Sequence, residues 1–509
     1  MSFGTEGIYG TPTYVSSTYI FLFILFGAFL EQAGMINLFN DLAMGTVGHT
    51  RGGPAKVSVI SSGLMGTING SGVANVVTTG QFTIPLMKRF GYSPAFAGGV
   101  EATASMGGQI MPPVMGAVAF IMAETIDVPY VEIVKAALIP AILYFLTAFW
   151  MVHLEAGRKG LVGLPKEECP NPWTAVRLRW YLILPLAGLV ALLFSGYTPL
   201  FSGSVGLALT VILIFSAALA QGIQGTPRRV LFWILLALAC SSFAQMGMLS
   251  FFIIISVLLV LTWVRRLGAD ARQLALQALV DGARHALPVA IACALVGVII
   301  GVINLTGVAA EMGGQIIAIG QDNLLLALML TMVTCLVLGM GIPTIPNYII
   351  TSSLAAPVLL KLGVPLIVSH MYVFYFGIMA DLTPPVALAA FAAAPIARET
   401  GLKIGLQAMR IAVAGFVVPF MAVYSPALML QTDSPVAVAW VVFKAVVAIG
   451  MWGAGAIGYL KGPLNLFERL WAIAAASLLV VAYPITDEAG LAAVAALLVW
   501  HFWRQRRAA

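Results

Sequence analysis

The sequence predicts an all-α polytopic membrane protein. Its 509 residues are 61% hydrophobic and 9% charged, whereas soluble domains carry about 25% charged residues. Apolar runs of about 20 residues, the length that a helix needs to cross the hydrocarbon layer, recur along the chain. The strands of a membrane barrel would instead appear as shorter, alternating segments. We therefore expect a bundle of helices embedded in a lipid bilayer.

The positive charge of the chain indicates orientation and does not favour nucleic-acid binding. The net charge is +6, but the Lys and Arg residues lie in short connections between apolar runs and form no long basic tract. By the positive-inside rule, their distribution predicts that the N-terminus lies on the outer side of the membrane and the C-terminus in the cytoplasm. The four Cys and five His are dispersed and form no CxxC or HExxH motif, so neither a metal centre nor an enzyme is predicted.

Residues 1–56 are expected to form an N-terminal scaffold helix followed by an interfacial segment. They contain one apolar run and lack the basic region of a signal peptide. An N-terminus on the outer side without a targeting signal would be explained if the chain normally continues upstream, or if a separate subunit replaces a missing upstream part.

Residues 57–87 form an apolar stretch that is interrupted in its middle by the sequence TINGSGVAN. Basic residues flank the stretch, so both of its ends are expected on the cytoplasmic face. Each arm has about 15 residues, which is too short to span about 30 Å of hydrocarbon. We predict a re-entrant hairpin with its tip near the midplane, where irregular backbone must be buried in protein or line an aqueous cavity.

A shift of 272 residues relates two parts of the chain. It superposes Asn75 on Asn347 and the Pro112-Pro113 pair on Pro384-Pro385. Four further positions match in the same register: Thr79 with Thr351, Pro85 with Pro357, Arg89 with Lys361, and Gly91 with Gly363. An odd number of membrane crossings separates equivalent elements, so the second repeat is expected to be inverted. Inverted repeats with broken helices are typical of secondary transporters.

The two repeats define the predicted domain organisation. The first transport repeat covers residues 57–153, with a hairpin at 57–87 and a broken helix at 92–125. The second covers residues 323–425, with a hairpin at 323–362 and a broken helix at 364–395. The remaining segments are predicted to be scaffold helices and a cytoplasmic linker (154–285), a second scaffold helix with an interfacial segment (286–322), and a C-terminal membrane extension (426–509).

The hairpin tips and the helix breaks offer oxygen ligands for a coupling ion, as backbone carbonyls, hydroxyls and amides. Asp381 is the strongest candidate, because an ionisable residue within the membrane is usually functional. Alternatively, the amides only cap the half-helices. The predicted ion-binding residues are Ser71, Gly72, Asn75, Gly107, Gly108, Gly341, Thr344, Asn347, Asp381 and Thr383.

Helix N-termini that follow the breaks and tips direct positive dipole ends into the same space and favour an anionic substrate. Each hydroxyl there could instead bond to its own helix backbone. Glu31 and Glu101 could be proton sites, but satisfied structural carboxylates are the favoured interpretation. The predicted substrate-binding residues are Thr78, Thr79, Gln109, Pro112, Thr351, Ser352 and Pro384.

Three segments carry a specific family resemblance. They read GSGVANVVTTGQFTIPLMKRFGYSPAFAGGVEATASMGGQIMPPVMGAVAF, GMGIPTIPNYIITSSLAAPVLLKLGV and GIMADLTPPVALAAFAAAPIA. Most of residues 15–425 resembles the large membrane subunit of the tripartite ATP-independent periplasmic (TRAP) transporters, of the ion transporter superfamily. The segments look in particular like the TAXI-type fused permeases.

The resemblance implies an elevator-type uptake carrier for an organic acid in the bacterial inner membrane. A sodium or proton gradient would drive it, without a cofactor, and a periplasmic TAXI-type solute-binding protein would deliver the substrate. Fused members also carry a small four-helix portion, which is expected here as a separate subunit or a missing N-terminal segment. A stand-alone carboxylate/sodium symporter is the main alternative; a membrane enzyme or a channel is less favoured.

Overall fold

The computed structural model describes residues 7–265, 268–307, 311, 314, 318, 323–481 and 484–508. Within these residues the regular secondary structure is helical, apart from an isolated β-bridge between Tyr459 and Pro463. This confirms the predicted all-α class. The first helices are α1 (Thr11–Gln32), α2 (Met35–Val47), α3 (Gly53–Asn69), α4 (Gly72–Arg89), α5 (Pro94–Gly107), α6 (Gly116–Ile126), α7 (Tyr130–Lys159), α8 (Pro172–Arg179), α9 (Ile183–Phe194), α10 (Pro199–Gln221), α11 (Thr226–Ser241) and α12 (Phe243–Met246).

The second half of the chain continues in the same way, with one long helix followed by several short apolar ones. These helices are α13 (Met248–Val264), α14 (Ala269–Thr306), α15 (Leu324–Leu338), α16 (Thr344–Lys361), α17 (Leu366–Ala380), α18 (Leu388–Ala397), α19 (Gly401–Ile411), α20 (Val413–Tyr424), α21 (Pro435–Ile457), α22 (Leu466–Val480) and α23 (Pro484–Ala508).

Eight helices within the described residues are long and apolar enough to cross a membrane. A ninth candidate is the pair α19 and α20, which meet at an angle of 43°. The polytopic prediction is therefore supported by length and composition. The predicted interfacial segment before residue 323 lies mostly outside the described residues.

The chain divides into two compact units. One contains residues 1–13, 39–172 and 292–509, and the other contains residues 14–38 and 173–291. The core of the second unit is a cluster of apolar side chains from α1, α10, α13 and α14, in which Phe29, Ile212 and Phe251 are buried. The predicted repeats and the C-terminal extension belong to the first unit.

The first unit contains two helical hairpins. In the first hairpin α3 packs against α4, and in the second α15 packs against α16. Their arms have 15 to 18 residues, which corresponds to about 22 to 27 Å at 1.5 Å per residue. The arms are thus shorter than the hydrocarbon thickness.

Each hairpin is followed by a helix that breaks at a Pro-Pro pair. The first broken helix consists of α5 and α6, and the second of α17 and α18. Both Pro-Pro peptide bonds, Pro112-Pro113 and Pro384-Pro385, are cis. Proline lacks the N–H that an α-helix needs, so the helix ends before each pair.

The two repeats interlock. Helix α18 of the second broken helix packs against α4 and α5 of the first repeat, while α6 contacts α16 and α17 of the second. Lys88 Nζ donates to the Ala397 carbonyl at 2.8 Å, and the Thr103 hydroxyl donates to the Ala408 carbonyl at 3.1 Å. These contacts tie the two repeats together within one compact unit.

The C-terminal extension packs on the same unit through α21 and α7. Lys444 and Asp487 form a buried ion pair between α21 and α23, with 2.6 Å between Nζ and Oδ2. Glu468 lies in the first turn of α22 and forms a capping box with Asn465. Its carboxylate is also paired with Arg504 at 2.8 Å.

Candidate functional site

The tip of the first hairpin lies directly against the break in the first broken helix. A Cβ built on Gly66 would lie 2.6 Å from the Gly108 Cα, and one on Gly116 would lie 3.0 Å from the Gly70 Cα. Gly70 and Gly116 also have positive φ angles of 66° and 63°, a region that residues with a Cβ rarely occupy. Glycine at these positions therefore allows backbone-to-backbone contact between tip and break.

Asn75 is completely buried just behind this tip. Its Nδ2 donates to the Ser62 carbonyl at 2.7 Å. This contact fixes the orientation of the amide, because a flipped amide would place its oxygen against the Ser62 carbonyl oxygen. Its Oδ1 is buried without a hydrogen-bond partner among the described residues. The predicted ion ligand thus presents a free oxygen.

The break supplies a second free oxygen at this end. Gln109 is 1% exposed, and its Nε2 lies 3.5 Å from the Met106 sulfur, while its Oε1 has no partner in the described part of the chain. A Cβ on Gly72 would lie 2.6 Å from Gln109 Nε2, so the side chain reaches the start of α4. Ser71 caps α4 by accepting a hydrogen bond from the Ala74 N–H at 3.4 Å.

The second tip repeats this arrangement with different partners. Asn347 Nδ2 donates to the Gly377 carbonyl at 2.8 Å, and Asn347 Oδ1 is buried without a hydrogen-bond partner among the described residues. A Cβ on Gly339 would lie 2.3 Å from Asn347 Nδ2. Gly341 adopts a φ of 76° where the chain turns towards α16.

Asp381 lies at the break facing this tip and is 1% exposed. The Thr344 hydroxyl donates to Asp381 Oδ2 at 3.2 Å, which connects α16 to the break. Its second oxygen, Oδ1, has no partner among the described residues. Thr383 donates its hydroxyl to the Met379 carbonyl at 2.7 Å and stays within the end of its own helix.

Four of the buried oxygens that have no partner among the described residues therefore lie at the tips and breaks, two at each tip and its break. Buried side-chain oxygens in proteins almost always have a partner, and an exception needs an explanation such as a bound ion. The four are Asn75 Oδ1, Gln109 Oε1, Asn347 Oδ1 and Asp381 Oδ1. Their positions follow the register of the repeat, in which Gln109 corresponds to Asp381.

The predicted substrate hydroxyls have local partners. Thr78 donates to the Ala74 carbonyl at 2.7 Å, Thr351 to the Asn347 carbonyl at 2.8 Å, and Ser352 to the Ile349 carbonyl at 3.2 Å. Such bonds leave the hydroxyl oxygen available as an acceptor. Their contact with substrate remains a prediction, as it does for Pro112 and Pro384 at the breaks.

The other predicted glycines shape the helix ends. A Cβ on Gly107 would lie 2.3 Å from the Tyr144 ring, and one on Gly108 would lie 2.4 Å from the Gly66 Cα. The Tyr144 hydroxyl donates to the Thr103 carbonyl at 3.0 Å. Packing at this break therefore leaves no room for side chains at residues 107 and 108.

A ring of hydroxyls surrounds Glu101, and the sequence did not predict it. The sequence favoured only a structural role for this carboxylate. Glu101 is fully buried on α5. A signal was present, because two hydroxyl pairs stand four residues apart on the two arms of the hairpin, and residues four apart share one helix face. The hydroxyls are those of Ser58, Ser62, Thr79, Thr83 and Ser105.

The sequence and these paired sites agree with one family. The family model of the tripartite ATP-independent periplasmic transporter, DctM component, matches residues 8–437. The chain belongs to this family. Its curated homologues are TRAP large permease proteins, which are transporter components and not enzymes.

Curated relatives match over part of their length. The C4-dicarboxylate TRAP transporter large permease protein DctM of Pseudomonas aeruginosa is 30% identical over 179 residues, which are 35% of this chain and 41% of the relative. The sialic acid TRAP transporter large permease protein SiaM of Vibrio cholerae is 25% identical over 178 residues, 35% of this chain and 41% of the relative. The 2,3-diketo-L-gulonate TRAP transporter large permease protein YiaN of Escherichia coli is 25% identical over 184 residues, 36% of this chain and 43% of the relative. The matched region thus spans about two fifths of each relative.

Proposed function

We propose that this chain is the membrane permease of a secondary uptake system for an organic acid in the bacterial inner membrane. The observation that carries the proposal is the pair of glycine-rich tips, each facing a Pro-Pro break and each with two buried, unpaired oxygens. Oxygen ligands suit a hard cation. The two sites would bind the coupling cation, for which sodium is the proposed identity.

A carboxylate substrate is supported by the helix ends around these sites. Four helices begin at the tips and breaks, namely α4, α6, α16 and α18. Each N-terminus carries the positive end of the helix dipole, and its first N–H groups have no partner within their own helix turn. The names of the three relatives above denote organic acids, which agrees with an anion at this place.

Cation binding and substrate binding would be coupled because both would take place at the same tips and breaks. Bound cations would order the tips and lower the repulsion between the substrate carboxylate and Asp381. Substrate and cation would then each bind well only together, which is positive cooperativity with a favourable coupling free energy. Thr78, Thr79, Gln109, Thr351 and Ser352 are the proposed substrate contacts.

The proposed movement is an elevator. The two interlocked repeats would move together across the membrane and carry the bound substrate, while the helices of residues 14–38 and 173–291 would remain in place. The hairpins are proposed to be re-entrant from opposite faces, with the N-terminus of the chain periplasmic and the C-terminus cytoplasmic. The arms are too short to span the bilayer singly, and this supports the re-entrant arrangement.

Two protein partners are proposed from family membership. A periplasmic solute-binding protein of the TAXI type would deliver the substrate, and a small four-helix membrane subunit or an additional N-terminal segment would complete the permease. The TAXI assignment depends on the resemblance of the segments around the two tips.

The test is uptake of radiolabelled C4 and C5 dicarboxylates into proteoliposomes that contain the chain and its small subunit. Uptake should require both the periplasmic protein and an inward sodium gradient, and an imposed proton gradient should not replace sodium. Uptake without the periplasmic protein would identify a stand-alone symporter. Uptake driven by protons alone would contradict sodium coupling.

A further inference from the structure

The carboxylate of Glu101 is held by hydroxyls from three helices. Ser58 and Ser62 donate from α3 at 2.7 and 2.8 Å, and Thr79 and Thr83 donate from α4, each at 2.5 Å. Ser105, one turn further along α5, donates at 3.0 Å. Glu101 therefore fastens both arms of the first hairpin to the first broken helix.

This carboxylate has no positive partner. No Lys, Arg or His of the described chain forms an ion pair with Glu101, which is 0% exposed. Hydroxyl dipoles stabilise a carboxylate through charge-assisted hydrogen bonds, but they carry no net charge. The negative field of Glu101 therefore extends into the surrounding protein, where the low dielectric weakens it little.

Two of the hydroxyl residues also hold Asn75. Ser62 donates its hydroxyl to Glu101 and accepts the Asn75 Nδ2 hydrogen bond on its carbonyl at 2.7 Å. The Thr79 hydroxyl lies between Glu101 Oε1 and the Asn75 carbonyl, at 2.5 and 2.8 Å. The side chain of Asn75 is thus connected to Glu101 through Ser62, while the single hydroxyl hydrogen of Thr79 bonds either to Glu101 or to the Asn75 carbonyl.

The second repeat has no carboxylate at the position that corresponds to Glu101. Val373 stands at the position that corresponds to Glu101, and Leu330 and Ala355 stand at those of Ser58 and Thr83. Asn347 is held instead by the Gly377 carbonyl, and the second site has its own carboxylate in Asp381. Each site therefore has one buried acid. In the first repeat it is Glu101, behind the tip, and in the second repeat it is Asp381, at the break.

We infer that Glu101 is a positioning residue for cation binding at the first tip. It fixes Asn75 through Ser62 and so keeps Asn75 Oδ1 without a partner among the described residues, and it supplies the negative charge that Gln109, in the place of Asp381, does not. Glu101 itself does not contact the ion. The inference depends on the proposed function, because it names the residue that gives the first site its affinity.

The test measures the sodium concentration that gives half-maximal uptake by the full chain in proteoliposomes, with choline as the replacement cation. Glu101→Gln keeps the size of the side chain and removes its charge. We expect the half-saturating concentration to rise at least about tenfold, the size of effect that loss of a nearby buried charge produces. Maximal uptake at saturating sodium should change by less than about threefold, and Glu101→Asp should recover part of the lost affinity.

A purely structural role would lower the amount of folded protein or the maximal rate and leave the half-saturating sodium concentration unchanged. That result would overturn the inference. Tyr348→Phe is the matched control, because it removes the buried 2.8 Å contact with His370 between α16 and α17 in the second repeat. Its half-saturating sodium concentration should equal that of the wild type.

If Glu101→Gln fails to fold, Ser58→Ala and Thr83→Val take its place, since each removes one donor to Glu101. A rise of at least about threefold in the half-saturating concentration is expected for each, and no change in either would overturn the inference. Absence of sodium dependence in the wild type would contradict the proposed function itself. Sodium dependence in the wild type with an unaltered Glu101→Gln would leave the proposed function intact and reject only the role of Glu101.

Discussion

Thr344 and Asp381 connect the second hairpin to the break in the second broken helix. The Thr344 hydroxyl donates to one carboxylate oxygen at 3.2 Å, and the other oxygen is buried without a partner among the described residues. A single hydroxyl does not compensate a buried charge, because desolvation of a carboxylate costs far more than one hydrogen bond returns. Asp381 is therefore the residue of this region that most needs a cation.

Asp381→Asn should abolish cation-driven uptake. The substitution keeps the shape of the side chain but removes the charge that would bind sodium, so we expect uptake to fall at least about a hundredfold at physiological sodium. Initial rates in proteoliposomes measure the effect. Thr344→Ala should weaken sodium binding by about tenfold, because a hydrogen bond to a charged group contributes about 1.5 to 3 kcal/mol. Wild-type rates for Asp381→Asn would show that the carboxylate is not part of the transport cycle.

Gly66→Ala and Gly108→Ala should both block the contact between the first tip and its break. A Cβ would lie 2.6 Å from the opposite backbone in the first case and 2.4 Å in the second. Overpacking of this kind costs about 1 to 3 kcal/mol, so we expect uptake to fall about tenfold or more. Gly450→Ala is the control, because a Cβ there meets nothing within 4 Å and alanine favours a helix. Equal activity of all three variants would exclude close packing as a requirement.

The ion pair of Lys444 and Asp487 should show strong non-additivity. Removing one partner leaves an unpaired buried charge, and Lys444→Met is expected to cost about 3 to 5 kcal/mol. The double variant Lys444→Met, Asp487→Leu should recover most of that loss, because similar apolar side chains can replace a buried pair. Melting temperatures in detergent provide the comparison. A double variant less stable than Lys444→Met would indicate that Asp487 has another role.

A covalent link between the two repeats should leave uptake intact. Lys88 reaches the Ala397 carbonyl, so a reducible thiol-specific reagent of similar reach should connect Lys88→Cys to Ala397→Cys. The background would lack the four native cysteines, Cys169, Cys240, Cys293 and Cys335, which form no disulfides. We expect the linked protein to retain at least about a third of its uptake rate, since the repeats are proposed to move as one body. Loss of uptake that reduction restores would show that the repeats move relative to each other.

The tips and breaks were predictable from sequence because their signals are local and repeated. Glycine and proline interrupt apolar runs for steric reasons that hold in any fold, and the register placed Asn75 with Asn347. The structure contains two helical hairpins and two helices that break at Pro-Pro pairs, while the predicted domain bounds stay predictions. Membrane orientation, re-entry and domain movement remain predictions.

The role of Glu101 was not predictable to the same degree. Its five hydroxyl partners extend from Ser58 to Ser105 on three helices, and only the packing of those helices brings them together. The pairs Ser58 with Ser62 and Thr79 with Thr83 indicated a polar face on each arm, but not what that face contacts. Likewise, only the structure shows that Asn75 and Asn347 each leave the amide oxygen without a partner among the described residues, and ion binding by these oxygens stays a prediction.

Direct binding of sodium to the purified chain tests the central claim most directly. Scintillation proximity with ²²Na⁺ would compare the wild type, Asp381→Asn and Gly450→Ala in the absence of substrate. We predict saturable binding to the wild type and Gly450→Ala, and clearly reduced binding to Asp381→Asn. No saturable binding to the wild type, or equal binding to all three proteins, would contradict the assignment of the unpaired oxygens to a cation.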